Sequence, residues 1–216
     1  MGGRGSNSID RITGQKGTVN SNQGTSNFSA VIQKAIGVKG PPMSMKQANI
    51  GTNPNYSKGD GYMTNCQRCV LAYALRRRGY DVVAKRAPRG DTLCNGASKS
   101  GNFFHAMKNP KGGTFKGLVR YTTGGDHVSD IQKQMAKWGD GSIALISFAR
   151  PGGAGHVFIA EQNHGKTIFV DPQVSRIVNP QTRGYLTGAA SGTIRLFRLD
   201  NLEPTDLIAK CVEPAH

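Results

Sequence analysis

The stretch NCQRCVLAYALRRRGYDVVA, residues 65–84, combines a helix with the strand that follows it. Apolar side chains recur at helical spacing over residues 66–78, and Asn65 or Thr64 is a suitable N-cap. A glycine lies just past the predicted end of the helix. Residues 80–84 (YDVVA) predict a strand that follows directly.

The first cysteine of this stretch, Cys66, lies where the predicted helix begins. Free backbone N–H groups and the positive end of the helix dipole stabilise a thiolate there. Cys69 lies one turn further in, where those donors are already used, and with Val70 and Tyr73 it belongs to the predicted buried stripe. We therefore predict Cys66 as a nucleophile and keep Cys69 as the alternative.

A second segment, GHVFIAEQNHGKTIFVDPQ (residues 155–173), predicts a β-hairpin with its turn at residues 164–165. This turn sets His156 opposite Gln173 and diagonal to Asp171. Side chains alternate along a strand, so these three share one face of the hairpin. Diagonal neighbours lie roughly 7 Å apart, within reach of a carboxylate that holds an imidazole N–H.

Cysteine, histidine and carboxylate, in this chain order, are the parts of an activated thiolate nucleophile. The CxxC spacing of Cys66 and Cys69 is also half of a zinc site or a redox pair. A zinc site needs a second close pair, whereas Cys94 and Cys211 are isolated, and a thioredoxin-like motif needs a βαβ context that is missing. We therefore predict no metal and no cofactor.

Length and composition predict one compact domain with an extension. The chain has 216 residues, 37% of them hydrophobic, and its 29 glycines are frequent in the first 60 positions. We predict a basic Gly/Ser-rich extension over residues 1–50, with a short helix near its end, and a catalytic domain over residues 51–216. Helices precede a run of antiparallel strands, which is typical of an α+β fold.

The net charge of +15 favours acidic surfaces or non-specific contact with nucleic acid. No apolar run is long enough to span a bilayer, and the first residues lack the apolar stretch of a secretory signal. These patterns predict a protein without a membrane span and without a signal peptide.

Four segments resemble a known family: residues 65–84, GHVFIAEQ (155–162), FVDPQ (169–173) and LFRLDN (196–201). They are similar to the papain-fold toxin domain known as Tox-PL, a predicted protein glutamine deamidase. The resemblance covers roughly residues 60–205. It implies a papain-like α+β fold with the nucleophile at the start of a helix packed on an antiparallel sheet.

The resemblance also implies roles for the site residues. Cys66 would attack a glutamine side-chain amide, His156 would carry the proton to the leaving ammonia, and Asp171 would orient His156. The backbone N–H of Cys66, with Asn65 or Gln173, would bind the oxyanion.

Relatives of this kind act as effectors on a host protein, so the resemblance also implies a biological setting. It implies an immunity or inhibitor protein as a partner. It also implies action in the host cytoplasm after delivery by a phage particle or a specialised secretion route. The opening MGGRGS resembles the start of some phage structural proteins.

Two other interpretations stay open at this point. A cysteine protease would use the same three groups and differ only in the leaving group. A non-enzymatic basic phage protein, structural or DNA-associated, would account for the net charge and the glycine-rich start.

Overall fold

The computed structural model describes residues 28–59, 61–88, 102–112, 118–120, 125–153 and 155–215. Within these ranges the α-helices are α1 (Ala30–Ile36), α2 (Met45–Thr52), α3 (Cys66–Arg77) and α4 (His127–Trp138). The strands are β1 (Val82–Ala84), β2 (Met107–Lys108), β3 (Leu118–Arg120), β4 (Ile143–Ala149), β5 (Gly155–Asn163), β6 (Lys166–Asp171), β7 (Arg176–Ile177), β8 (Arg195–Arg198), β9 (Glu203–Pro204) and β10 (Val212–Pro214). None of these helices combines the length and apolar character needed to cross a membrane.

The main sheet has six strands in the order β3-β8-β4-β5-β6-β7, and all neighbours are antiparallel. One face, with Leu145 and Ile159, packs against α3. The other face, with Ile146 and Phe158, packs against α4. Because strand side chains alternate, the two faces build separate cores. The α+β arrangement predicted from the sequence is confirmed.

Helix α3 is buried along nearly its whole length. It begins at Cys66, as predicted, and ends at Arg77, one residue before the predicted end. Gly79 follows with φ +100°, and a Cβ at this position would lie 2.2 Å from the Gly40 carbonyl oxygen. A left-handed backbone and a close approach both require glycine here.

The β5–β6 hairpin has the predicted register, with Gln162 paired to Thr167. Its turn residues His164 and Gly165 have φ values of 48° and 73°. Two positive φ values in a two-residue loop are typical of a type I′ turn, whose twist suits a hairpin. The same register, continued past the last paired residues, sets His156 level with Gln173.

The region before α3 contributes to the main core. Ile32 and Ile36 of α1 and Ala48 of α2 are buried with α3. Helix α1 falls within the predicted short helix, whereas most of α2 lies in the region predicted as an extension. The domain boundary at residue 50 stays a prediction, and residues 1–27 lie outside the described residues.

Candidate active site

Cys66 is the first residue of α3, and its side chain is half-buried. Asn65 occupies the N-cap position, but its side chain makes no capping hydrogen bond. Its carbonyl oxygen accepts the N–H groups of Arg68 and Cys69. Among the described residues no acceptor is bonded to the N–H of Cys66 or Gln67. The helix start therefore keeps two donors beside the sulfur, as an oxyanion site requires.

His156, on β5, is held by Asp171 at the end of β6. Its Nε2 lies 2.8 Å from Asp171 Oδ2, and both side chains are largely buried. Because Asp171 occupies Nε2, the imidazole nitrogen left for Cys66 is Nδ1. Since His156 also makes a hydrogen bond with Cys66, the structure brings Cys66, His156 and Asp171 into one cluster, although 105 residues separate the cysteine from the aspartate along the chain.

The imidazole of His156 is stabilised in its charged form. Burial lowers the pKa of His156, but hydrogen bonds to Asp171 and Cys66, and the charges of both, outweigh this effect and raise it to about 9. An imidazolium next to a thiol stabilises the thiolate, and a thiolate stabilises the imidazolium. The contacts of His156 therefore favour the charged form of its imidazole, the form in which it can donate a proton.

Asp171 accepts hydrogen bonds on both of its oxygens. Oδ2 also accepts the Tyr185 hydroxyl at 3.0 Å, and Oδ1 accepts the Gln173 N–H at 3.1 Å. The Tyr185 ring lies 5.9 Å from the His156 ring and covers this side of the pair. Burial and then the Asp171 charge raise the pKa of Tyr185, so its hydroxyl stays protonated as a donor.

Tyr185 was not predicted from the sequence. It lies between β7 and β8, in a segment of turns and one short 3₁₀ helix at Leu186–Gly188. Such a segment has no periodic pattern, so nothing distinguished this tyrosine from other loop residues.

Asn65 and Gln173, predicted as supporting residues, belong to a buried amide network. Asn65 donates to Asn53 Oδ1 at 3.3 Å and to the Lys85 carbonyl oxygen at 3.1 Å. Gln173 Nε2 donates to Asn65 Oδ1 at 3.5 Å. Asn53 donates in turn to the Gln173 carbonyl oxygen at 3.0 Å. The network ties the start of α3 to the end of β6, which fits a supporting role, whereas oxyanion binding by either side chain stays a prediction.

Cys69, the alternative nucleophile, lies in a different environment. It is fully buried, and its thiol donates to Asn65 Oδ1 at 3.2 Å. Burial raises the pKa of Cys69 well above its usual value. These surroundings favour the neutral thiol of Cys69, whereas Cys66 is half-buried and interacts with His156.

The remaining cysteines add no metal site to the part of the chain that the structure describes. Cys211 is buried, with its sulfur 3.8 Å from the Leu207 carbonyl oxygen, and Cys94 lies outside the described residues. No group of three or more His, Cys, Asp or Glu side chains in the described ranges is arranged to hold a metal ion.

A helix that begins with cysteine and packs on an antiparallel sheet, beside a histidine of that sheet, is the arrangement of the papain-like class. A family model described as "Papain fold toxin 1, glutamine deamidase" matches residues 64–176. The match covers more than half of the chain, and the protein belongs to this family. This confirms the family resemblance and the predicted fold class. No curated protein and no solved structure matches the chain.

Proposed function

We propose that the protein converts glutamine side chains of a target protein to glutamate, with Cys66 as the nucleophile. The observation that carries this proposal is the double contact of His156, which interacts with Cys66 and with Asp171. The family description supplies the reaction, since its members are glutamine deamidases, a kind of amidohydrolase.

The chemistry has two halves that share one proton carrier. The Cys66 thiolate attacks the amide carbon, and the His156 imidazolium protonates the nitrogen, so that the C–N bond breaks and ammonia leaves. Water then attacks the thioester while His156 takes its proton, and the C–S bond breaks to release glutamate and the thiolate. The sum is one amide and one water giving one carboxylic acid and one ammonia.

The N–H groups of Cys66 and Gln67 support this scheme, because the carbonyl oxygen becomes an oxyanion in both halves. Two donors at the mouth of a helix stabilise such a charge without reorganisation. Asp171 would keep the imidazole in the tautomer with its N–H on Nε2, so that Nδ1 stays available to Cys66.

The test is to incubate candidate target proteins with the enzyme and measure released ammonia together with intact mass. Deamidation adds about one dalton per site and leaves the polypeptide whole. Cys66→Ala should abolish both signals, and Cys69→Ala is the matched control that should keep them.

Other outcomes would assign other functions. New peptide termini that depend on Cys66 would identify a cysteine protease. Full turnover by Cys66→Ala would end the proposal. Salt-sensitive DNA binding that Cys66→Ala leaves unchanged, with no turnover of any protein, would favour a non-enzymatic role.

A further inference from the structure

Arg150 lies at one side of the His156 ring. It directly follows β4, and its guanidinium lies over the Phe148 ring, with Cζ 5.2 Å from the centroid. The same Phe148 ring is 6.2 Å from His156, with which it pairs across β4 and β5. Arg150 Nη2 also donates to the Gly184 carbonyl oxygen at 2.7 Å. The guanidinium is therefore held in place near the imidazole.

Arg176 lies on the other side of the pair. It is exposed on β7, where it pairs with Asp171 of β6. Directly paired residues of antiparallel strands point to the same face, so Arg176 shares the face of Asp171 and His156. Both arginines are close enough to Tyr185 for their charges to act on its hydroxyl.

His156 lies between the two arginines in both directions of the sheet. Perpendicular to the strands, β5 lies between β4 and β7 in the strand order. Parallel to the strands, the observed pairings place Arg150 two residue positions from His156 in one direction and Arg176 two positions from it in the other. With strands about 4.8 Å apart and about 3.3 Å per residue, the two Cα atoms are roughly 19 Å apart.

In the part of the chain that the structure describes, neither guanidinium has an acidic partner. No salt bridge within the described ranges includes Arg150 or Arg176. Asp171, which pairs with Arg176 across β6 and β7, already accepts hydrogen bonds from His156, Tyr185 and the backbone. Two unpaired cations thus flank one reaction centre, and this placement creates a field that attracts carboxylates.

We propose that Arg150 and Arg176 bind acidic side chains on both sides of the target glutamine, so that the enzyme selects glutamines in acidic segments. This inference rests on the proposed function, because it takes the cluster of Cys66 and His156 as the point of reaction. An extended peptide advances about 3.3 Å per residue, so glutamates two or three residues from the glutamine would reach the guanidinium groups.

The experiment compares peptides with one central glutamine and with glutamate, serine or lysine at the second and third positions on each side. We expect kcat/KM for ammonia release from the glutamate peptide to exceed that of the serine peptide about three- to tenfold, as for solvent-exposed ion pairs. The ratio of kcat/KM for the glutamate peptide to that for the serine peptide should fall toward one in the double variant Arg150→Ala/Arg176→Ala and in high salt. Arg195→Ala, an exposed arginine of β8, is the matched control that should keep the ratio.

Arg176→Glu distinguishes loss of the subsite from misfolding of the variant. A folded Arg176→Glu protein should shift its preference toward the lysine peptide, whereas a misfolded one should have no preference. Ammonia release at equal kcat/KM from all three peptides would overturn the acidic subsite and leave the deamidase proposal standing.

If no peptide releases ammonia, the binding of the same peptides to Cys66→Ala is measured by fluorescence anisotropy. This measurement tests the acidic subsite separately from the deamidase proposal. Tighter binding of the glutamate peptide, lost in the Arg150→Ala background, would still support the subsite while the deamidase proposal fails. Equal binding of all three peptides would overturn the subsite. A DNA duplex that displaces the glutamate peptide at lower concentration, through the same arginines, would assign the site to nucleic acid instead.

Discussion

Replacing Asp171 with asparagine removes the carboxylate that holds His156. The carboxylate accepts His156 and Tyr185 on Oδ2 and the Gln173 N–H on Oδ1. An amide has one oxygen and one NH₂ group. All three neighbours keep a hydrogen bond only if the oxygen faces Gln173 and the NH₂ group faces His156 and Tyr185. This is possible because a hydroxyl can also accept. Nε2 of His156 then becomes an acceptor and its proton moves to Nδ1, the nitrogen that should receive the thiol proton.

The expected magnitude follows from the loss of this base. General acid–base catalysis contributes between about 10² and 10⁴ in rate, so kcat/KM for ammonia release should fall within that range. The pKa of His156 is about 9 against an ordinary 6.5. This difference favours the imidazolium by about 3 kcal/mol. Burial lowers this pKa and Asp171 raises it, so without the carboxylate it falls.

The sign of the pH effect is therefore fixed. Turnover by a thiolate–imidazolium pair declines as His156 loses its proton near pH 9, and in Asp171→Asn this alkaline limb should move to lower pH. The same raised pKa stabilises the folded protein fully below about pH 6.5, and this contribution is lost as the pH rises through about 9.

The assay is kcat/KM for ammonia release from about pH 5 to about pH 10. Asp200→Asn is the matched control, because Asp200 also accepts a backbone N–H, that of Ile143, and pairs with an arginine, Arg198. It should leave the pH profile unchanged. A folded Asp171→Asn protein with the rate and alkaline limb of the wild type would refute the reasoning.

Three further predictions follow from the same contacts. Tyr185→Phe should lower kcat/KM about three- to tenfold and move the alkaline limb to higher pH, because a carboxylate that loses a neutral donor binds the imidazolium more strongly. Glu161→Gln should lower the free energy of unfolding in urea by about 3 kcal/mol, because buried Glu161 pairs with Arg77. Iodoacetamide should label Cys66 well before Cys69, which is buried and has a raised pKa, and peptide mapping by mass spectrometry measures both.

Each of these has a matched comparison. Asp130→Asn removes the exposed pair with Lys133 and a negative charge in the first turn of α4, and should change the stability by no more than about 1 kcal/mol. A Glu161→Gln protein as stable as that variant would contradict the second prediction. A Tyr185→Phe protein whose alkaline limb stays at the wild-type pH would contradict the first prediction. Equal labelling rates of Cys66 and Cys69 would contradict the third.

The contact between His156 and Asp171 could be predicted because a two-residue turn determines the strand register of the whole hairpin. Once residues 164–165 are taken as the turn, every pair along β5 and β6 follows, and so does the shared face. The start of α3 was equally predictable, because a polar pair before an apolar periodic run marks a helix start.

Other parts of the site depend on contacts that no local pattern encodes. Asn65 was predicted as a cap from its residue type, but its side chain is drawn into the buried network with Asn53, which is distant along the chain. Helix α2 has a capping box, Ser44 with Gln47, but few of its side chains are buried. Because the region is polar, no helix was predicted there. Tertiary packing decides the position of the Asn65 side chain, whereas the capping box of α2 is a local signal that the prediction from composition did not use.

Helix α3 meets strand β5 at two places: Cys66 interacts with His156, and Arg77 with Glu161. Eleven residues along a helix advance about 16.5 Å, and five along a strand about the same distance. The two spans match in length, although His156 and Glu161, an odd number of positions apart, point to opposite faces of β5. A residue inserted or deleted in the middle of α3 would rotate one end by about 100° against the other. The distant ion pair therefore sets where the sulfur lies, and the spacing between residues 66 and 77 is as much a constraint on the reaction as the identity of the reacting groups.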